Sequence, residues 1–170
     1  MTDWQEVVEK HGPLVWRTGY RLLGNHADAS DCFQKVFLDA LQVARREPVR
    51  QWSALLRRLA TARALDLMRD RYRRRNRSEP LTTVSQAISR EPLPEQRAEA
   101  AELTEQLRAA LAELPEQQAQ VFCHRWLDGL SYEQIAEQLD LDANGVGVLL
   151  HRARRRLQQL LVRLIGEGSS

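Results

Sequence analysis

Cysteine is nearly absent from this chain, with Cys32 and Cys123 the only two among 170 residues. They stand far apart with no metal-ligand spacing around either, which argues against a disulfide scaffold or a zinc site and fits a reducing compartment. Glycine (8) and proline (6) are scarce, and aromatics make up 6% of the residues. No segment keeps a period-two alternation, so a strand-rich fold is excluded. Nowhere do eighteen apolar residues run together, and the first residues carry no apolar signal core. A soluble, cytoplasmic protein without membrane contact is expected. No glycine-rich phosphate loop occurs. Cys123 and His124 are neighbours on a helix, so their side chains diverge, and the sequence offers no acid at a spacing that suggests a catalytic base. No catalytic residue, metal or cofactor is therefore expected.

What is present is a surplus of helix formers: Leu, Ala, Arg, Glu and Gln dominate. The class is all-α, and the chain is long enough for two small helical domains. Residues 3–23 read as two helical pieces around Gly12-Pro13, ended by Gly24-Asn25, which tolerate a left-handed cap. The stretch 28–44 follows as a helix with Cys32, Phe33, Val36, Phe37, Ala40 and Leu41 on one side, so Cys32 reads as core. After Pro48, Trp52 opens a helix through Leu55, Leu56, Leu59, Leu65 and Met68. Residues 78–94 then lose all period and carry three prolines. A helix is predicted over about 95–114. Pro115 starts another, closed by Gly129, whose stripe includes Val121, Phe122, Trp126 and Leu127.

The segment from Ser131 to Leu164 carries the most specific local signal. Ser131 with Gln134 is a capping-box start, and Ile135, Ala136 and Leu139 form one apolar face. Asp140-Leu141-Asp142 is a break of turn length, with Asp142 positioned to cap the next helix. In that helix Val146, Leu149, Leu150, Ala153, Leu157, Leu160, Leu161 and Leu164 recur at three- and four-residue steps, while arginines occupy the faces between. Two short-linked helices of this kind suit a helix-turn-helix reader of duplex DNA; a plain helical hairpin with a solvated basic face has the same pattern. Residues 166–170 read as a frayed tail.

Charge is unevenly spread. Residues 1–78 hold 16 basic against 9 acidic side chains, residues 79–118 hold 3 against 8, and the remainder balance at 6 and 6. Six arginines fall within Arg69–Arg77, around Tyr72. Such a one-sign cluster repels itself without a partner, and a phosphate backbone is the obvious one. Arg57, Arg58 and Arg63 extend it back along the helix. Asp66 is expected to tie arginines together within that helix. Trp52 and Tyr72 either stack on unpaired bases or anchor the core. The acidic middle segment either folds back on the basic half or serves as a soluble connector.

Two separate stretches resemble one family, the small bacterial RNA polymerase sigma factors of the sigma-70 type and extracytoplasmic-function group. The segment LAELPEQQAQVFCHRWLDGLSYEQIAEQLDLDANGVGVLLHRARRRL is similar to the promoter-reading domain four nearly end to end. DASDCFQKVFLDAL resembles the helix with which domain two grips the clamp of the polymerase largest subunit, and LLRRLATARALDLMRDRYRRR resembles the adjoining melting helix. The resemblance implies a domain two over 1–78, a linker over 79–98 and a domain four over 99–166.

It also implies a specificity factor rather than an enzyme, monomeric when free, with core RNA polymerase, promoter DNA and an anti-sigma factor as partners. Asp28, Asp31, Gln34, Lys35 and Phe37 would meet polymerase. Arg57, Arg58, Arg63, Arg69, Arg71, Tyr72, Arg73, Arg74 and Arg75 would engage the −10 element. Asn144, Val148, His151, Arg152, Arg155 and Arg156 would face the −35 duplex. Three departures stand out. Lys35 replaces an acidic residue, Ala62 falls where an Asn is frequent, and Gly145, Gly147, Val148 and Leu149 replace the polar leading edge of the recognition helix. The rival readings are an autonomous helix-turn-helix repressor or activator and, remotely, a Cys/His enzyme.

Overall fold

The computed structural model describes residues 1–77 and 95–168. Those residues form seven helices and no strand: α1 (Trp4–Leu23), α2 (His26–Arg46), α3 (Trp52–Asn76), α4 (Glu95–Glu113), α5 (Glu116–Trp126), α6 (Tyr132–Leu139) and α7 (Ala143–Gly168). The all-α class expected from composition holds. Most of the expected linker, 79–94, lies outside the described residues, as do 169 and 170.

Helix α1 is one rod where two pieces were expected. Pro13 lies inside it on the exposed side, where its missing N–H removes one backbone hydrogen bond. Val7, Gly12, Val15, Gly19, Leu22 and Leu23 form a buried stripe along the whole rod, so packing on α2 and α3 overrides the local break. Asp3 caps the start by accepting from the backbone N–H groups of Gln5 and Glu6. Gly24 closes it with φ 76°, a left-handed residue whose N–H returns to the Tyr20 carbonyl. A Cβ at Gly24 would also meet the guanidinium of Arg108, the movable end of a long side chain, so it is the positive φ that calls for glycine there.

Helix α3 runs through the centre of the molecule. Its buried residues Leu55, Leu56, Ala60, Thr61, Ala64, Leu65 and Met68 do not keep to one stripe, because α1 and α2 cover one side and α4, α5 and α6 cover another. One apolar core accordingly runs from Val15, Leu23, Val36, Leu56 and Met68 into Leu111, Leu114, Cys123, Leu157 and Leu160 of the second half. A smaller core of Val121, Leu130, Ile135, Ala136, Val146 and Leu150 holds α6 against α5 and α7. The end of α7 stays helical to Gly168 rather than fraying at 166. Arg163 on α7 donates to both carboxylate oxygens of Glu113 on α4, at 2.8 and 3.0 Å, which pins that extension.

Candidate nucleic-acid interface

The helix-turn-helix is built by local signals that act as the sequence suggests. Ser131 Oγ accepts from the Gln134 N–H at 3.1 Å, and Gln134 Oε1 accepts from the Ser131 N–H at 2.9 Å, a complete capping box. Asp140 turns the chain at φ 55°, the one non-glycine residue with positive φ among those described. Asp142 then accepts from the Gly145 N–H and starts α7. Val146, Leu150, Ala153, Leu157 and Leu160 are buried along α7. Asn144, Val148, His151, Arg152, Arg155 and Arg156 are all exposed on the outer side, so the expected −35 residues share one accessible face.

The residues expected at the −10 element do not form one face. Arg57 and Arg58 border a groove of about 660 Å³ between the start of α3 and Gln134, Glu137 and Gln138 of α6, which Gln138 closes by donating to the Ala54 carbonyl at 2.8 Å. Arg63, Arg69 and Arg73 line a second, polar groove of about 260 Å³, together with Lys35, Asp66, Leu67 and Asp70. Arg63 there pairs with Asp39 of α2, while Asp66 on its own helix lies within electrostatic reach of both Arg63 and Arg69. Burial and the neighbouring Glu116 raise the Asp66 carboxyl above its ordinary value, against the pull of Arg63 and Arg69.

Arg69, Arg71 and Arg75 are held by the fold. Arg71 donates to the Leu23 carbonyl at 3.1 Å, at the open end of α1, and Arg69 to the Leu114 carbonyl at 3.2 Å. The Tyr72 hydroxyl donates to Glu105 Oε2 on α4 at 2.9 Å, and burial with that carboxylate pushes its pKa up to about 12. Arg75 sits over the Tyr72 ring at 5.4 Å and 4.0 Å from the same carboxylate. Glu105 itself is held below the ordinary carboxylate range by the Tyr72 and Arg108 hydrogen bonds, against its partial burial. Arg108 donates to the Arg21 carbonyl, and Arg21 to the Leu127 carbonyl. Helix α4 thus packs on the arginine-rich end of α3 instead of standing clear of it. Tyr72 packs rather than offering an open ring, and Trp52 packs edge-on against Trp4 at 5.3 Å. Arg73 and Arg74 remain exposed.

The polymerase candidates on α2 also divide. Asp28 is held in the N-terminal cap, accepting from Asn25 Nδ2 at 2.9 Å, and Asp31 pairs with Lys35 at 3.3 Å. Gln34 and Phe37 line an apolar groove of about 520 Å³ with Trp4, Val8, Phe33, Leu38 and Leu41. Leu38 is 60% exposed at the edge of this groove and joins Val8, Phe33 and Phe37 in one apolar patch.

Two features escape the sequence reading. Trp126, assigned to an apolar stripe, is 53% exposed, and its ring carries the Arg154 guanidinium at 4.8 Å. Its signal was its place at the last turn of α5 beside Arg125. His124 is fully buried, and its Nδ1 donates to Asp128 Oδ2 at 2.9 Å, so an acid does stand four residues on. His124 is sealed in the core next to Cys123, with Asp128 half-buried at its edge, and burial pushes the Cys123 thiol up to about 12. Among the described residues no group of three His, Cys, Asp or Glu could hold a metal ion, and no helix is long and apolar enough to cross a membrane.

Comparison with known proteins agrees with this layout. The profile of Sigma-70 region 2 matches residues 7–75, and that of Sigma-70 region 4 matches residues 104–157. The chain is 33% identical over 165 residues to the ECF RNA polymerase sigma factor SigE of Mycolicibacterium smegmatis, covering 96% of this chain and 63% of that protein. It is 28% identical to the ECF sigma factor SigW of Bacillus subtilis over 92% of this chain and 87% of that one. The fold is similar to that of Bartonella quintana RpoE, solved with the anti-sigma factor NepR, at a TM-score of 0.52 and 21% identity over 95% of this chain and 98% of RpoE. With both regions matched in order and over most of its length, the chain belongs to the sigma-70 family, in its extracytoplasmic-function group.

Proposed function

We propose that this chain is a transcription initiation factor that binds core RNA polymerase in the cytoplasm and directs it to particular promoters. In this reading the outer face of α7 docks in the −35 duplex, and α3 engages the −10 element through Arg58, Arg63, Arg73 and Arg74. The protein supplies positioning and charge, and no chemical step is assigned to its side chains. The observation that carries the reading is the open apolar groove between α1 and α2, beside the arginine-lined helix. An apolar groove suits a protein partner of either kind; what favours a polymerase clamp over a second copy is that the groove lies in the stretch matched by Sigma-70 region 2, with region 4 following in order. Gln34 and Phe37 within it, and Asp31 and Lys35 on its shoulder, are the proposed polymerase contacts.

An anti-sigma partner is part of the same proposal, supported by the complex in which the Bartonella RpoE was solved. The packing of α4 on α3 adds a step: Tyr72, Arg69 and Arg71 are engaged in the free protein, so docking on polymerase must separate the halves before all of α3 meets DNA. Gel-shift assays with and without core polymerase test the function. Promoter fragments should shift only when both protein and core are present. Tight, sequence-specific binding by the chain alone would favour the repressor.

A further inference from the structure

Trp126 ends α5 and is 53% exposed as a residue, yet it is far from solitary. Arg154 of α7 lies over it at 4.8 Å and Arg125 at 5.9 Å, while Arg125 also lies 5.6 Å from the Tyr132 ring and donates to the Leu130 carbonyl at 3.0 Å. Neither arginine has an ion pair among the described residues. A guanidinium over an aromatic face is held in orientation while its N–H edge can still donate elsewhere; Arg125 spends one N–H on the Leu130 carbonyl and Arg154 stays exposed. A guanidinium held in this way can take a phosphate. Arg154 follows His151 by three residues, so it borders the exposed face of α7, and Arg125 of α5 is brought beside it by the Trp126 ring that both lie over.

The same face lacks polar side chains at its leading edge. Gly145, Gly147, Val148 and Leu149 offer no long donor, and the space above Gly147 is bounded by the Tyr132 ring, 3.6 Å from where a Cβ would stand. We infer that Trp126 is a positioning residue for DNA binding: it fixes Arg154 and Arg125 as a pair that takes phosphates of the promoter duplex alongside α7. The inference rests on the reading that α7 faces the −35 duplex. It goes further in assigning to an exposed tryptophan of α5 part of the affinity that the recognition helix itself does not supply.

The test uses holoenzyme assembled from core polymerase and the full chain. A linear duplex is first selected from a pool with randomised −35 and −10 segments, and its binding is then measured across a range of KCl concentrations. Trp126→Ala should weaken binding about five- to tenfold and lower the slope of log K against log salt by about 1 to 2, the signature of one or two lost phosphate contacts. Trp126→Phe, which keeps an aromatic face, should retain most of the slope. Adding Trp126→Ala to Arg154→Ala should cost less than it does in the parent, because the tryptophan acts through the arginine. An unchanged slope for Trp126→Ala, with its melting temperature preserved, would overturn the inference, as would full additivity of the two substitutions. If the parent selects no template at all, the −35 reading fails and takes this inference with it; a parent that selects one beside an unaltered variant sinks only the role of Trp126.

Discussion

Cys32 and Cys123 illustrate what single residues reveal. Cys32 was legible as core because it falls in the α2 stripe, and it is fully buried with its Sγ 3.9 Å from the Ala60 carbonyl. Burial, joined by Asp31 near Cys32 and Asp128 near Cys123, pushes both thiols from 9.0 up to about 12. The folded values lie above the unfolded one, so this contribution to stability is complete below about pH 9 and is lost as pH rises toward 12. Both thiols should resist alkylation at neutral pH and react promptly in denaturant, as counted by intact mass; fast native labelling would show that the core opens locally. Trp126 and His124 differ from the sequence reading for different reasons. For Trp126, period places a side chain on a face but not what lies across from it, which is Arg154; for His124, the partner Asp128 stands only four residues on, a spacing present in the sequence.

Among the elements, the helix-turn-helix was the most legible, because its cap, turn and apolar stripe are local. Ser131→Ala should remove a donor–acceptor pair at the start of α6 and cost about 1 kcal/mol, read as a lower melting temperature. A loss near zero would mean that packing of Ile135 alone fixes α6. Helix α1 was less legible, since Pro13 signals a break that packing along the whole rod overrules. The edge of α2 supplies the sharpest functional test at this scale. Leu38→Asp alters an exposed position and should leave the melting temperature nearly unchanged while reducing affinity for core polymerase more than tenfold, on the order of 1.4 kcal/mol or more. Undiminished binding would remove the α1–α2 groove from the polymerase interface.

At the scale of the whole molecule, the two halves share one apolar core through α3, which no local pattern announces because α3 is covered from two sides. The charge asymmetry hinted at the contact: Glu105 of the acidic segment meets Tyr72 and Arg75. Yet the polar pairs stand at the rim of an apolar seam, and salt screens charges without weakening apolar burial. The free protein should therefore keep its radius of gyration by X-ray scattering as salt rises, and a marked expansion would assign the closure to charge alone. Glu105→Ala should loosen the rim and raise the proteolytic sensitivity of α4, with the core polymerase still needed for DNA binding.

The most direct measurement of the central claim is run-off transcription with core polymerase on a library of linear templates with randomised promoter segments. If the chain is an initiation factor seated by α2 and reading DNA through α3 and α7, discrete transcripts arise only when chain and core are combined. They share two separated sequence blocks, and they vanish with Leu38→Asp. Transcripts that are independent of the chain, or specific DNA capture by the chain alone with no transcript from the mixture, would contradict the account.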